Sequence, residues 1–596
     1  MGQYVARGHF MTVDDVVKHN TGMTLRDLDA HKEYQVRCLK RNSAGTYDLN
    51  GLSVVADVLR DAAEKKIPVT IMGDYDTDGI TASAILAFSL NTIGIKPKVR
   101  LPRRMSEGFG LSMKVVDEIR EGILITVDNG IAAIEAVKKA KEKDLCVIIT
   151  DHHLPNKDES MLDVEDSKDE TGYVDIKSCV LPEADYIVNP HLAATSDFPD
   201  YCGAGIAYKL ALELVTDKAL IKKLTGFAAI GTEGDVMPLL YDNRQIVKEG
   251  LENLVDKMSR TSGMEALLRL TNKERVLTST DIGFNVSPMI NAPGRMSDDG
   301  AMTSLVAISY NGPFEKAEGL AQNLININAS RKQAKDEGLA KMDSNIATNC
   351  LYGDSPLCIY DPTVSEGIIG IIAGRMAEEK KVPCFIFTDT DAARVIKGSG
   401  RTYGSVDLKD MLDYCQDLLV KYGGHREAAG ISIERDKFED MKARMKDYIS
   451  KRPPERIDDN VYYDLEIDAD DIEKYIEQQK KFEPFGQGNP KPVFYIRKFE
   501  VLKNRTLGSN DEHIKCVGKN AEAIGFGISE QYTQIGEPRY LDIIGTLSEN
   551  FFNGAITPQV EILEMQATQA DIAKTERTCQ LEQAINRKLE ERRAAS

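Results

Sequence analysis

The stretch GDYDTDGITASAIL, residues 73–86, sets Asp74, Asp76 and Asp78 at alternate positions and closes them with a glycine before turning helical. Carboxylates whose oxygens converge repel one another unless a cation lies between them, and a divalent metal is the simplest remedy. Taken alone, the triplet reads equally well as an acidic turn facing solvent. The sequence TDHH at 150–153 favours metal, because the chain has 8 histidines and His152 and His153 directly follow an aspartate. Carboxylates mixed with neutral imidazoles suit Mn2+, Fe2+ or Zn2+, whereas an all-oxygen site suits Mg2+. So many carboxylates beside imidazoles suggest two ions, the arrangement that clamps both the attacking and the leaving oxygen in phosphoryl chemistry.

The elements that must position these groups follow from the flanking patterns. KKIPVTIM before the triplet reads as a strand, and ITASAILAFSLNTIG after it has helical spacing. In GILITVDNGIAAIEAVKKAKEKD a buried strand ends at Asp128 and Gly130 opens a helix, and in LCVIITDHHLP a strand ends at Asp151, His152 and His153. Strands alternating with helices predict a parallel sheet, and such sheets gather ligands at the carboxyl ends of their strands. Residues 313–349 read as one long connecting helix, after which PLCIYDP and VPCFIFTD open a second α/β unit. From about Pro453 the segments PVFYIRKFEVL, HIKCVG, AIGFGI and YLDIIGTL predict a small β-barrel, and the charged tail after Met565 predicts a solvated helix.

A chain of 596 residues holds about three or four domains. Its 42% hydrophobic and 28% charged content is that of a soluble globular protein. No apolar run reaches the roughly 20 residues that span a bilayer, and the start MGQYVARGHFMTVDD lacks a signal-peptide core, so a cytoplasmic location is expected. The 10 cysteines form no CxxC pair, which excludes a zinc knuckle of that type and suggests no disulfide framework. A net charge of -19 excludes indiscriminate attraction to nucleic acid, so any strand-binding site must be a local basic patch.

In that order, DYDTDG, TVDNG, TDHH and GTEGDVMPL resemble the successive motifs of the DHH phosphoesterases, and GGHREAAG (423–430) resembles the signature of their associated second domain. PRRMSEGFG (102–110), INAPGRMSDDG (290–300), SEGIIGIIAGR (365–375), KGSGR (397–401) and EPFGQGNPKPVF (483–494) narrow the resemblance to RecJ-type single-stranded-DNA exonucleases, from about Leu52 to Met565. After an N-terminal segment (1–50), the resemblance implies an α/β fold: a parallel-sheet DHH domain (51–312) and a connecting helix (313–350). A second, DHH-associated α/β domain (351–452) and an OB-like barrel (453–565) would follow, ahead of the charged tail (566–596), whose helix is read from its composition. It places metal ligands on Asp76, Asp78, Asp128, His152 and Asp235, with Asp74 and His153 as ligands or supporting groups. Arg104, Arg295, Ser399 and Arg401 would lie near the strand's phosphates, His425 would approach the scissile group, and Gly424 would let backbone come close to the strand.

The implied activity is metal-dependent 5′ to 3′ degradation of single-stranded DNA to mononucleotides in repair and recombination. It would use two divalent ions, Mn2+ ahead of Mg2+. A monomer is expected, with a single-stranded-DNA-binding protein or a helicase as candidate partners. An oligoribonuclease or cyclic-dinucleotide phosphodiesterase on the same chemistry is disfavoured by residues 483–565, and a catalytically silent binding protein by the complete ligand set. Three features depart from the family. Glu233 and Gly234 stand where Val-Ala is usual, adding a carboxylate near the metals; Val364 and Ser365 stand where Trp-His is usual, leaving a smaller corner by the cleft; and residues 156–179 form an acidic insertion.

Overall fold

Runs of β-branched and apolar residues fix the central strands. The computed structural model describes residues 3–30, 32–157, 172–390, 394–455, 460–508, 510–552 and 555–568. Its first sheet comprises β1 (Arg37–Arg41), β2 (Tyr47–Gly51), β3 (Val69–Met72), β4 (Lys98–Arg100), β5 (Ile123–Val127), β6 (Cys146–Thr150) and β7 (Tyr186–Val188). The spatial order is β2-β1-β7-β6-β5-β3-β4. β7, β6, β5, β3 and β4 are parallel, while β1 and β2 add an antiparallel edge. β3 and β5 are buried along their whole length, as strands covered on both faces must be. Met72 lies opposite Thr126 and Val127 opposite Thr150, so the strands end flush and their following residues share one rim.

Helix α1 (Thr77–Thr92) follows β3 and is buried on nearly every side, packed by α2 (Gly203–Leu214) and α3 (Lys218–Gly234). The helix expected to open at Gly130 starts at Ile134 instead, because Gly130, at φ 115°, serves the turn. α4 (Ser287–Met296) packs on α5 (Phe314–Thr348), a helix of 35 residues, and α5 also packs on α6 (Glu366–Lys380). The second sheet is β8 (Leu357–Tyr360), β9 (Cys384–Asp389), β10 (Val395–Arg401), β11 (Leu419–Gly424) and β12 (Ala428–Glu434), in the order β8-β9-β10-β12-β11. Only β8 and β9 are parallel. Both sheets belong to one compact unit, Glu33–Met237 with Gln245–Ile457.

The other unit joins Met1–Lys32, Pro238–Arg244 and the chain from Asp458 onward. Its sheet holds β13 (Leu465–Asp468), β14 (Phe494–Glu500), β15 (Lys503–Leu507), β16 (His513–Val517), β17 (Glu522–Gly525), β18 (Tyr540–Phe552) and β19 (Ala555–Ala567). Their order is β13-β14-β18-β19-β17-β16-β15. The segment expected as a single N-terminal piece, 1–50, therefore divides. Tyr4–Ala6 pairs with Val461–Tyr463, and Val13, Val16, Val17 and Leu28 enter the core around Phe494 and Ile543, whereas β1 and β2 join the first sheet. The stripe on the helix Val13–Thr21, capped at Thr12, can be buried only against such a core. The strand β19 extends past Met565 to Ala567. The tail beyond 568 and the centre of the acidic insertion, 158–171, lie outside the described residues.

Candidate metal centre and strand-binding site

The three motif aspartates divide their work. Asp76 is the N-cap of α1 and accepts from the Gly79 amide at 3.0 Å. Asp78 lies in the first helical turn rather than on extended chain, and its oxygens accept from the amides of Gly203 (2.6 Å) and Ala204 (2.8 Å) at the start of α2. Asp74 is fully buried. One of its oxygens meets the Gly110 amide at 3.4 Å, and the other has no partner. Two helix starts thus bind charge on this rim, and a glycine permits the crowding: a Cβ on Gly203 would stand 2.4 Å from the Asp128 Cβ.

Asp128 adopts φ 63° at the end of β5, a left-handed conformation unusual for a side chain and typical of functional sites. Its Oδ1 is buried without a hydrogen bond, 3.1 Å from His152 Nε2. The same nitrogen lies 3.5 Å from Asp235 Oδ2 and 3.8 Å from Asp78 Oδ2. Among the described residues three interlocking donor groups result: Asp74, Asp76 and Asp128; Asp78, His152 and Asp235; and Asp128, His152 and His153. Within each, the donor atoms lie within 4.8 Å of one another, and Asp128 and His152 tie the groups together. Orphaned buried oxygens and a mixed carboxylate–imidazole set are what divalent cations of the Mn2+ type require.

The electrostatics point the same way. Burial, then the neighbouring carboxylates, push Asp74, Asp76 and Asp128 above the usual carboxylate range. Burial and the charges of Asp78 and Asp76 push Asp235 up to about 8. Burial and the nearby His153 charge lower His152 to about 4, leaving a neutral imidazole with a free lone pair. Burial also opposes the charge on His153, but the hydrogen bond and charge of Asp151 outweigh it and raise His153 to about 9. Asp151 holds the ring at 2.7 Å and is itself fixed by the Ile131 amide at 2.9 Å. It is a positioning group that the sequence reading passed over, although TDHH displayed it.

The expected strand-binding residues lie beside this centre in part. The Arg104 guanidinium stacks over Tyr75 at 4.5 Å, and Tyr75 meets Phe109, which in turn meets His153 edge-on at 5.2 Å. The loop carrying Arg104 and Phe109 is tethered by Asp298, which accepts from the Met105 and Ser106 amides, and by the pair Arg103–Asp299. Asn129 fastens it further, accepting from the Leu111 amide while donating to the Met72 and Val127 carbonyls. Burial and the charges of Arg104 and Arg331 lower Arg295 to about 10. Arg401 donates to Ser399 Oγ (3.2 Å) and the Gly400 carbonyl (2.7 Å), and Gly370 of α6 leaves room for both side chains. His425 is different: it sits exposed on the turn between β11 and β12, and its ring accepts from the nearby Glu427 amide. Gly424, at φ 142°, lies so near the Ala428 carbonyl that a Cβ would be 2.3 Å away, which gives it a role in the turn itself.

The departures at the motifs leave Glu233 with a buried oxygen, Oε1, that has no hydrogen-bond partner among the described residues, and Val364 in a core. Burial alone pushes Glu233 up to about 8, with no contribution from Asp78 or Asp235, and it joins none of the donor groups. Gly234 makes room for Thr77, whose Cγ2 would be 2.6 Å from an added Cβ. Val364 is buried with Ile368, Ile372 and Met342 in a hydrophobic core, not in a cleft, and exposed Ser365 precedes α6.

Three family models match the chain: the DHH family N-terminal domain over 68–232, the DHHA1 domain over 351–451 and the RecJ OB domain over 463–564. Together they cover more than half of it. The chain belongs to the RecJ family. The single-stranded-DNA-specific exonuclease RecJ of Salmonella typhimurium is 29% identical over 551 residues, 86% of this chain and 90% of that protein. RecJ of Bacillus subtilis is 28% identical over 527 residues, 87% of this chain, which spans 63% of that longer relative. The crystal structure of Thermus thermophilus RecJ in complex with Mn2+ superposes with a TM-score of 0.70 at 25% identity, covering 92% of this chain and 75% of that one. An exonuclease RecJ bound to manganese gives 0.55 at 28% identity over 68% of this chain and 96% of its own. The RecJ family thus accounts for both sheets of the larger unit and for the OB domain of the smaller.

Proposed function

We propose that this RecJ-family protein is a divalent-metal-dependent exonuclease that shortens single-stranded DNA from its 5′ end, releasing mononucleotides. The observation that carries the reading is the interlocked set of donor groups centred on Asp128 and His152, beside guanidiniums that have no carboxylate partner among the described residues. Asp74, Asp76, Asp78, Asp128, His152 and Asp235 would hold the ions. Two such cations supply Lewis acidity at the scissile phosphate and activation of the attacking water. Arg104, Arg295 and Arg401 have the planar forks that match phosphate oxygens. Ser399 holds the Arg401 fork, Asp151 fixes His153, and Phe109, 52% exposed, offers an apolar edge next to the donors. No helix among the described residues is long and apolar enough to cross a membrane.

The test is digestion of single-stranded DNA labelled at the 5′ or the 3′ end, with Mn2+, Mg2+ or chelator. Release of labelled mononucleotide from the 5′ end at once, with the 3′ label retained in a shrinking ladder, is expected with either ion. Cleavage confined to dinucleotides, or unaffected by chelator, would overturn the reading.

A further inference from the structure

The inward stripe of α5 changes character where the helix passes from one domain to the next. Its buried residues are Ala317, Ala321, Leu324 and Asn328, then Gly338, Met342 and Ile346. Ala317, Ala321 and Leu324 pack in the core of the first domain, Met342 and Ile346 in that of the second. Continued at helical spacings of three and four, the stripe passes from Asn328 through Arg331 and Lys335 to Gly338. A helix that merely joined two domains would put its cations on the outer face.

These polar positions are not equivalent. Lys335 is paired with Asp336 at 2.9 Å. Asn328, only 7% exposed, accepts from Arg331 Nε at 3.0 Å, which fixes the fork and leaves both Nη groups free to donate. Arg331 has no ion pair among the described residues. α5 packs directly on α4, which carries Arg295, and on α6, whose Gly367 touches the Arg295 carbonyl and whose Gly370 touches Ser399 and Arg401. The charges of Arg104 and Arg331 both act on Arg295, and that of Arg104 acts on Arg401, so these cations are electrostatic neighbours.

From this we infer that Arg331, oriented by Asn328, seats an internal phosphate of the single strand beyond those held by Arg104, Arg295 and Arg401. Arg331 is then a residue that senses substrate length. The inference rests on the exonuclease reading above.

The experiment uses the full chain with Arg331→Ala, Arg331→Lys and wild type, a 5′-phosphorylated dinucleotide, and a 20-mer of thymidylate. For Arg331→Ala, KM on the 20-mer should rise about ten-fold at near-constant kcat, the loss of one charge-assisted contact. The slope of log binding constant against log salt should flatten by about 0.7, one phosphate contact on a single strand. Dinucleotide hydrolysis should not change. Arg331→Lys should restore the salt slope while recovering only part of the KM. An unchanged 20-mer KM, or an equal loss on the dinucleotide, would overturn the inference, as would Arg331→Lys failing to restore the salt slope. Binding of the 20-mer in chelator separates this from the parent reading. Wild type that binds in an Arg331-dependent way but never cleaves refutes the exonuclease and keeps the phosphate seat, whereas cleavage indifferent to Arg331 does the reverse.

Discussion

Asp128 is the residue on which the centre turns, since it belongs to two of the three donor groups and pays for its place with a left-handed backbone. Replacing Asp78, Asp128 or Asp235 by Ala should lower cleavage by on the order of 10³-fold, the several kcal/mol that cation chemistry contributes. Circular dichroism should show the fold retained. Loss of bound Mn2+ with full activity would sink the assignment. Crowded acids also set the pH behaviour of the metal-free chain. Asp235 titrates near 8 when folded against about 4 when unfolded, so its contribution to stability is complete below about pH 4 and is lost as pH rises through 8. Asp74, Asp76 and Asp128 are raised too and act in the same sense, as does His153, raised to about 9. Metal-free protein should therefore melt at a falling temperature from pH 5 to pH 9, with Mn2+ raising Tm more at pH 8 than at pH 6. A metal-free Tm that climbs across that range would refute the account. Asp74, Asp76, Asp78, Asp128, His152 and His153 were legible as candidates because they follow strand ends, whereas Asp235, which caps the end of α3, came only through the family resemblance. The restraint of His153 by Asp151 was not legible, since a neighbouring acid is as readily a ligand as a support.

Elements translate that chemistry into position, and their tolerances are narrow where α2 abuts the strand ends. Gly203→Ala would drive a methyl into Asp128 and should cost about 1–3 kcal/mol of stability. It should weaken Mn2+ binding as well, read by calorimetry, whereas Gly319→Ala, with open space around it, should do neither. Equal Mn2+ affinity in both variants would show that α2 does not set the donor geometry. β3, β5 and β6 could be read from sequence because strands buried on both faces are nearly continuous apolar runs. The role of Val364 could not: restoring a large aromatic side chain there would overfill the core with Ile368 and Ile372, a packing fact that no local pattern encodes. The N-terminal partition was equally hidden, because the pairing of Tyr4–Ala6 with Val461–Tyr463 spans most of the chain.

At the scale of the whole molecule, the smaller unit is assembled from three distant stretches of chain, and Arg244 is what fastens them. Its side chain is fully buried, donating to the carbonyls of Phe482 (2.9 Å), Pro484 (3.3 Å) and Glu483 (2.9 Å) and to Asp29 at 3.4 Å. Asn489 donates to the Phe482 and Pro484 carbonyls as well, so the EPFGQGNP sequence forms a socket for this guanidinium. The motif was recognisable, but its task was not, because the residue that it receives lies some 240 positions away. Burial opposes the charge of Arg244, and only this set of acceptors offsets the cost. Arg244→Met keeps the bulk while leaving the carbonyls without donors, so it should destabilise the smaller unit by about 3 kcal/mol or more. All the metal donors lie in the larger unit. Scanning calorimetry should therefore show a low-temperature transition split from the main one, with Mn2+-dependent hydrolysis of a dinucleotide preserved and KM on long strands raised. One undivided transition, with dinucleotide hydrolysis lost in proportion, would mean that the two units unfold together and that Arg244 supports the catalytic unit as much as its own.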